Sequence, residues 1–257
     1  IHRAELNGLP ATWEMNWLAQ FGNDPLRRIL EGILTAGEKR GLVGVWAHLF
    51  GRGTMVRGVE MYGPNFFLLP NDRWGIAEDE KTELRITRLQ GDQSLCLPKR
   101  FLVACLRKPT LYSERVRVEP SHYFLSLPPL DVSAFPADVA EYVDWGSRSA
   151  EAGPAMKAFG PQWYAHVYSQ LGVKRPYGQL FLPDKVDPSF KNRGVFANYT
   201  DCAVTASKNF YIVRSNEEEE YKILATWFNS GLFLSLLLLV GRRLSATWTR
   251  FLEDDYL

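Results

Sequence analysis

The chain has 257 residues, of which 46% are hydrophobic and 23% are charged, a balance that is typical of globular proteins and excludes long disordered tracts. Thirty basic and 29 acidic side chains leave a formal net charge of +1, so the overall charge gives no indication of a nucleic-acid partner. Cys96, Cys105 and Cys202 lie far apart without a CxxC pair, which indicates neither a disulfide framework nor a zinc site and favours a reducing cytoplasm.

A helix is predicted near the N-terminus, in the stretch NDPLRRILEGILTAGEKRG. Asn23 or Asp24 suits the N-cap, and Pro25 suits the first helical position. Gly41 then marks a stop. The apolar residues of this stretch recur at helical spacing and predict one buried face: Leu26, Ile29, Leu30, Ile33 and Leu34. We interpret residues 1–57 as an N-terminal helical segment and residues 58–257 as a second domain.

Short strands are predicted in the next part of the sequence. NFFLLP predicts a buried strand, and ELRITRLQGDQSLCLP predicts a hairpin that turns at Gly91 and Asp92. RVRVEPSHYFLSLPP alternates between charged and apolar residues and then continues as an apolar strand. PADVAEYVDWG predicts a short helix that ends at Gly146. Residues 58–150 form one possible lobe of the second domain.

The remaining residues, 151–257, form the other possible lobe. GPAMKAFGPQWYAHV predicts an aromatic-rich helix, and GQLFLP, GVFANYT and KNFYIVRS predict three strands, the last with Lys208 covering apolar neighbours with its stem. Ser215 or Asn216 suits the N-cap of a helix that carries four glutamates in its first turn. This helix is predicted to continue through YKILATWFNSGLFLSLLLLV. The order of elements predicts an α+β fold, with mixed or mostly antiparallel sheets packed with helices and a long hydrophobic helix at the end.

The apolar run at residues 231–240 is only half as long as a membrane span requires, which is roughly 20 residues. It therefore predicts a buried core helix and no membrane partner. Arg242 and Arg243 follow directly and are expected where the helix emerges. Two interpretations stay open: these arginines bind phosphate, or they stabilise the negative C-terminal end of the helix.

Basic residues are concentrated in two stretches. Residues 98–119 carry six cations against two acids, and residues 174–193 carry five against two. Acidic residues are concentrated elsewhere, at residues 217–220 and 253–255. Such runs are commonly solvated faces, but two basic stretches with interleaved aromatic residues favour a nucleic-acid surface.

Catalytic motifs are sparse in this sequence. It contains no GxGxxG, Walker A, GxSxG or HExxH motif, and its four histidines have no companion at ligand spacing. Asp72, Asp79 and Lys81 in PNDRWGIAEDEK form a D-x-K arrangement, as in metal-dependent nucleases whose carboxylates hold the ion. A nuclease built on these three residues is one alternative function.

Several stretches resemble a known family. SKNFYIVR followed by NSGLFLSLLLLVGRR resembles the C-terminal target-recognition region of N6-adenine DNA methyltransferases of restriction-modification systems. FFLLPNDRWGI, LPKRFLVACLRKPTLYS and YVDWG are similar to the same class, so the resemblance extends over most of residues 58–257.

The resemblance implies sequence-specific binding of duplex DNA by a fragment that is non-catalytic by itself. The family's glycine-rich S-adenosylmethionine loop and its catalytic Pro-Pro-aromatic motif are missing, since SLPPL lacks both flanking residues. The fragment is therefore expected to need no cofactor. S-adenosylmethionine would bind the catalytic domain of the parent chain, and that parent is expected to be a site-specific adenine methyltransferase. That domain and duplex DNA are the expected partners, in the cytoplasm. The start at Ile1 and the end at EDDYL suggest an excised piece of a longer protein.

The candidate DNA contacts follow from the basic stretches. Arg107, Lys108 and Tyr112 are expected in an exposed loop, and each cation of KRPYG and FKNRG lies close to a glycine or proline that turns the backbone. The predicted DNA-binding residues are Lys99, Arg100, Arg107, Lys108, Tyr112, Arg175, Lys191, Arg193, Arg242 and Arg243. A protein-interaction domain that docks a partner through the hydrophobic helix is a further alternative.

Overall fold

A computed structural model describes most of the chain from Met55 onward. The described residues are 55–186, 194–214, 220–231, 233–234, 242–243 and 249–250, together with single positions between 28 and 40 that include Arg28, Gly32 and Lys39 in helical conformation. The side chains of 186, 242–243 and 249–250 are not among them. Helices and sheets are both present, which confirms the predicted α+β class.

The described elements alternate along the chain. The strands are β1 Met55–Arg57, β2 Leu68–Leu69, β3 Trp74–Asp79, β4 Glu83–Arg88, β5 Ser94–Pro98, β6 Leu102–Leu106, β7 His122–Leu125, β8 Gly178–Pro183, β9 Lys185–Val186, β10 Asn198–Ala206, β11 Phe210–Val213, β12 Arg242–Arg243 and β13 Thr249–Arg250. The α-helices are α1 Pro64–Phe67, α2 Ala137–Arg148, α3 Gly153–Phe159, α4 His166–Lys174 and α5 Glu220–Phe228. Short 3-10 turns occur at Lys99–Phe101, Pro109–Tyr112, Val132–Ala134, Ala150–Ala152 and Gly160–Ala165.

A seven-stranded sheet in the order β1-β11-β8-β10-β6-β7-β2 forms the centre. Its pairs are antiparallel except for β6 with β10, which run parallel with Cys105 beside Thr205. β10 pairs first with β8 and then with β6, and its register shifts between Tyr199 and Val204. Residues 201–203, which lie at this register shift, are exposed. The sheet is therefore mixed, as the sequence predicts.

A second, three-stranded sheet contains β3, β4 and β5. Its β4–β5 pair is the hairpin predicted from ELRITRLQGDQSLCLP, with the turn at residues 89–93. The sheet packs against α2, where the backbone N–H of Cys96 donates to Oδ2 of Asp138 at 2.7 Å. Trp74 at the start of β3 is fully buried between this sheet and Trp145 of α2, at 5.4 Å between ring centroids.

Gly146 does not end the helix that carries it, contrary to the sequence prediction. α2 continues to Arg148 and is capped by Ser149. A Cβ atom on Gly146 would lie 2.5 Å from the ring of Phe66 and 2.9 Å from that of Trp163. The glycine therefore allows the helix to pack closely against the aromatic core. A local sequence pattern cannot distinguish a glycine with this role from one that ends a helix.

The predicted strand NFFLLP is also only partly correct. Residues 64–67 form the short helix α1, and only Leu68–Leu69 extend as strand β2 beside β7. Phe66 and Phe67 are fully buried, so the apolar character of the stretch was recognised correctly. A short apolar run does not by itself separate a buried strand from a buried helical turn.

The predicted long helix at the C-terminus is interrupted among the described residues. α5 ends at Phe228, and the Asn229 side chain accepts from the backbone N–H groups of Phe196 and Ala197 at 2.7 and 3.0 Å. Residues 231, 233 and 234 are helical again, and residues 235–241 lie outside the described residues.

The prediction that a helix ends just before Arg242 and Arg243 falls on residues 235–241, outside the described residues, and stays a prediction. Both arginines lie in strand β12, paired with Arg250 and Thr249 of β13. Their partners follow later in the chain, so the apolar helical pattern that precedes the arginines does not reveal the pairing. Among the described residues, no helix has both the length and the apolar character that a membrane crossing needs.

The predicted division of the chain stays a prediction. Strand β1 ends at Arg57, on the proposed boundary, and pairs with β11. The central sheet takes strands from both possible lobes, 58–150 and 151–257, since β6 lies beside β10.

Because Gly146 lies close to Phe66 and Trp163, we expect a larger side chain at this position to destabilise the protein. Gly146→Ala is expected to lower the free energy of unfolding by about 1–3 kcal/mol, because the added methyl group overpacks the contact with Phe66 and Trp163. Gly172→Ala on α4 is the matched control, since a Cβ there meets nothing within 4 Å. It is expected to stabilise the protein by up to about 1 kcal/mol through helix propensity. Urea unfolding of both variants measures the difference, and equal effects would contradict the packing explanation.

Candidate nucleic-acid interface

Arg107 and Lys108 directly follow β6, at the point where the chain leaves the central sheet. Arg107 is half-buried and Lys108 is exposed. Neither makes an ion pair within the described part of the chain, whereas some other cations are neutralised, such as Arg73 by Glu151 at 2.7 Å and Arg85 by Glu78 at 2.8 Å. The two adjacent charges are therefore available to a ligand.

The end of β10 holds a third cation near this pair. Ser207 donates its hydroxyl hydrogen to the carbonyl oxygen of Arg107, and its backbone N–H donates to Leu106 at 2.9 Å. Lys208 follows in the turn between β10 and β11, where its ammonium group lies 2.6 Å from Oε1 of Glu60. That hydrogen bond is the main cause of the lowered pKa of Glu60. The expectation that Lys208 lies within a strand is therefore wrong.

Arg57 lies on the other side of the same turn. Its Nη2 makes an ion pair with Oδ2 of Asp184 at 3.1 Å, and its Nε donates to the carbonyl oxygen of Lys208 at 3.2 Å. Arg57 also lies close enough to contribute to the lowered pKa of Glu60. The turn at Lys208 is thus enclosed by one carboxylate and one guanidinium group.

The C-terminal end of α4 continues the cationic surface. Lys174 donates to Oε1 of Gln170 at 3.1 Å, and its charge also lowers the pKa of Glu60. Arg175 adopts a left-handed conformation with φ of 45° and is exposed. Arg214, which follows β11, donates to the carbonyl oxygens of Lys174, at 2.9 Å, and of Arg175. An arginine at a helix C-terminus is favoured by the helix dipole and satisfies free carbonyl groups.

These contacts connect cations from distant parts of the sequence, and we call the set the basic cluster. Its members are Arg57, Arg107, Lys108, Lys174, Arg175, Lys208 and Arg214. The carboxylates that contact it among the described residues are Glu60 and Asp184. The cluster therefore carries a local excess of positive charge that the near-neutral net charge of the chain conceals.

Tyr112 is not exposed, contrary to the sequence expectation. It is 7% exposed and packs against Phe210 at 6.3 Å between ring centroids. Its hydroxyl group lies 2.7 Å from Oγ of Ser121, which in turn lies 2.8 Å from Nδ1 of His122. Tyr112 is therefore a supporting residue beneath Arg107, whose backbone N–H lies 3.4 Å from the phenol oxygen.

His122 at the end of this network is buried beside the two cations. Burial lowers its pKa to about 4, and the positive charges of Arg107 and Lys108 act in the same direction. The imidazole is therefore neutral at physiological pH, and its titration reports the electrostatic potential at Arg107 and Lys108.

Lys99 and Arg100 lie apart from Arg107 in the 3-10 turn before β6. Lys99 is paired with Asp79, and its ammonium group lies 3.9 Å from the ring centroid of Tyr123. Burial lowers the pKa of Lys99, but the hydrogen bonds to Asp79 and Tyr123 outweigh it and leave the pKa raised. Arg100 is exposed, with its guanidinium carbon 4.9 Å from the ring centroid of Phe101.

The other predicted contacts cannot be placed in the cluster. Lys191 and Arg193 lie outside the described residues, and the described chain resumes at Gly194. For Arg242 and Arg243 the structure describes the backbone of β12 alone.

Sequence reasoning missed Arg57, Lys208 and Arg214 as site residues. Each is a single cation in or beside an apolar strand, MVR or NFYIVR, and this context predicts a residue that merely borders a strand. Their proximity depends on β1 pairing with β11 across most of the described chain. A signal was present only in the resemblance of SKNFYIVR, which contains two of them.

The residues of the alternative nuclease do not come together. Asp72 precedes β3 and Asp79 ends it, so the strand alone separates them by about 16 Å at about 3.3 Å per residue. A shared ion needs both carboxylate oxygens within about 2–2.6 Å. Asp79 instead accepts from Lys99 and, at 2.7 Å, from Tyr123, and the bond to Lys99 is the main cause of its lowered pKa. No group of three metal-binding side chains occurs among the described residues.

Comparison with known proteins gives a limited result. No protein-family model matches the sequence, and none of the curated proteins matches it. Among solved structures, the chain is similar to the crystal structure of the type IIG restriction endonuclease BpuSI, at 14% identity and a TM-score of 0.42. The match covers 85% of this chain and 27% of that chain, so the chain spans about a quarter of that endonuclease. A likeness at this level carries no argument about chemistry.

Because His122 lies close to two unpaired cations, we expect its pKa to depend on their charges. In the double variant Arg107→Ala/Lys108→Ala, the pKa of His122 is expected to rise from about 4 while staying below its usual range, because burial remains. NMR titration of the imidazole measures the shift. Lys81→Ala/Arg88→Ala removes two exposed cations from the three-stranded sheet and should leave the pKa of His122 unchanged.

The lowered pKa of His122 also makes the stability of the protein depend on pH. The unfolded chain binds a proton at His122 near pH 6.5, whereas the folded protein does so only near pH 4. The contribution to stability is therefore complete above about pH 6.5 and is lost as pH falls towards 4. His122→Gln should flatten this part of the stability profile, and an unchanged slope would contradict the assignment.

The arrangement of Asp72 and Asp79 predicts that the protein does not cleave DNA. Supercoiled plasmid incubated with the protein and Mg²⁺ or Mn²⁺ is expected to stay intact, because Asp72 and Asp79 lie at opposite ends of β3. Agarose electrophoresis detects a single nick. Nicking by the wild type that disappears in Asp79→Ala would establish the nuclease instead.

Proposed function

We propose that this chain binds duplex DNA sequence-specifically, as the target-recognition fragment of an N6-adenine DNA methyltransferase of a restriction-modification system. The observation that carries the proposal is the basic cluster, whose cations outnumber the carboxylates that contact it. The resemblance of SKNFYIVR and NSGLFLSLLLLVGRR to that family supports the same conclusion.

The chemistry of the cluster suits a phosphate backbone. Arg107 and Lys108 lack acidic partners among the described residues, so binding a phosphate does not first require an ion pair to break. The planar fork of an arginine matches phosphate geometry, and a flexible lysine adds a point charge. Phosphate contacts of this kind fix the register on the duplex, while loop side chains read the base edges.

Within this proposal the fragment catalyses no reaction itself. Methyl transfer and S-adenosylmethionine belong to a catalytic domain of the same parent chain, which acts in the cytoplasm and is the protein partner of this fragment. The target-recognition fragment supplies position and sequence selectivity to that domain.

One observation favours the second candidate, docking of a protein partner through the hydrophobic helix. Ile223 and Trp227 lie four residues apart on α5 and are 68% and 43% exposed. Residues at this spacing share one helix face. This face would suit the catalytic domain, so the two proposed contacts are compatible.

The DNA proposal predicts binding that weakens steeply with salt, because cations that neutralise phosphates release counterions. Arg107→Ala/Lys108→Ala, and separately Lys191→Ala/Arg193→Ala, should each weaken binding to all duplex sequences alike. The slope of log affinity against log salt should flatten by about one unit for each phosphate that the variant no longer neutralises. Fluorescence anisotropy on a mixed-sequence duplex across a salt series measures both effects, with melting temperatures changed by no more than a few degrees.

The control must remove the same charge elsewhere. Lys81→Ala/Arg88→Ala lowers the net charge equally at exposed positions outside the basic cluster and should leave affinity and salt slope close to wild type. Equal weakening by the control and the Arg107/Lys108 variant would indicate a general charge effect. Absence of any binding at low salt would contradict the proposed function itself.

A further inference from the structure

Three rings form a compact aromatic group on the surface beside the basic cluster. Phe159, at the end of α3, stacks on His166 of α4 with centroids 3.8 Å apart and planes at 16°. Tyr62 meets both rings edge-on, at 5.0 Å from Phe159 and 5.4 Å from His166. We call Tyr62, Phe159 and His166 the aromatic platform.

Two rings of the platform are partly exposed to solvent. Tyr62 is 40% exposed and Phe159 is 39% exposed. Each is followed by a glycine with positive φ, Gly63 at 154° and Gly160 at 67°. A Cβ on Gly63 would lie 2.5 Å from the carbonyl oxygen of Glu151, so the backbone at Tyr62 is held in place by close packing. Close packing therefore fixes the backbone beside Tyr62, whereas Gly160 beside Phe159 makes no such contact.

Hydrogen bonds connect the platform to the basic cluster. Nε2 of His166 lies 3.0 Å from the carbonyl oxygen of Glu60, the residue whose side chain holds Lys208. Gln170 donates to the same carbonyl oxygen and accepts from Lys174. The exposed rings and the phosphate-binding cations thus share one stretch of surface around Glu60.

We infer that the aromatic platform stacks an unpaired nucleobase of the DNA whose phosphates lie on the basic cluster. This inference rests on the proposed function and adds a second class of contact to it. Exposed rings beside a cationic surface are the combination by which proteins hold unpaired bases, since every base offers a π-face and stacking needs no particular sequence. A paired base in the interior of an intact duplex has both faces covered by its neighbours, so the ligand is a single-stranded or extrahelical nucleotide next to the duplex.

His166 suits the role of a supporting ring. Burial lowers its pKa, as does the charge of Lys174, against the opposing effect of Glu60. The imidazole is therefore neutral at physiological pH and stacks beneath Phe159 without adding charge. Phe159 and Tyr62 present the exposed surface, and phosphate attraction comes from the cations of the cluster.

Three probes separate the base from the backbone: a blunt duplex, the same duplex with a short thymidine overhang, and the same overhang with abasic nucleotides. Fluorescence anisotropy is expected to give about tenfold tighter binding to the thymidine overhang than to the abasic one, as stacking of one base provides. Phe159→Leu and Tyr62→Leu should each remove most of this gain while leaving affinity for the blunt duplex unchanged.

Tyr168→Leu is the matched control, because Tyr168 lies on α4, is 45% exposed and lies outside the platform. It should leave all three affinities unchanged. Equal binding of the thymidine and abasic overhangs by the wild type would overturn the inference and leave duplex binding intact. Binding to the overhang without binding to the blunt duplex would support the platform and overturn the proposed duplex function. Two platform variants that weaken all three probes alike would also overturn the inference.

Discussion

The backbone contact at Gly58 holds strand β1 against the turn between β10 and β11. A Cβ on this residue would lie 2.2 Å from the carbonyl oxygen of Ser207 and 2.4 Å from that of Ala206. Only a residue without a side chain permits that approach. The backbone N–H of Gly58 also donates to the carbonyl oxygen of Phe210 at 2.9 Å. Arg57 and Glu60 flank this point, so their contacts with the turn at Lys208 depend on it.

The electrostatics of the site follow from that contact. A nearly neutral chain gains a positive surface because the pairing of β1 with β11 and of β6 with β10 brings cations from distant parts of the sequence onto neighbouring strands, with Lys208 and Arg214 at opposite ends of β11. The carboxylate of Glu60 organises these charges without cancelling them all, and its lowered pKa keeps it ionised. Tyr112 and His122 support the surface from below and stay uncharged at neutral pH. A buried neutral layer beneath exposed cations strengthens their field, because less water screens it.

Local sequence patterns revealed the elements better than the site. The hairpin of β4 and β5 and the strands β8 and β11 follow from alternation and turn residues, which act over a few neighbouring positions, whereas GVFANYT overlaps only the first three residues of β10. Gly146 and Asn229 were misjudged because their roles, a contact with Phe66 and hydrogen bonds to Phe196 and Ala197, depend on distant residues. Arg107, Lys108 and Arg175 were recognised from local charge density. The cluster could not be assembled from sequence, since it requires the parallel pairing of β6 with β10.

That parallel pairing also determines when the fold can be completed. β6 and β10 are separated by several helices along the chain, and β1 pairs with β11, which follows much later in the chain. Such distant pairings make loop closure costly and folding slow. During synthesis on the ribosome, one edge of β6 stays unpaired until β10 has been synthesised. An unpaired strand edge invites association with other chains, so a product truncated before β10 should aggregate, whereas removal of the residues after β11 leaves the central sheet with all its strands.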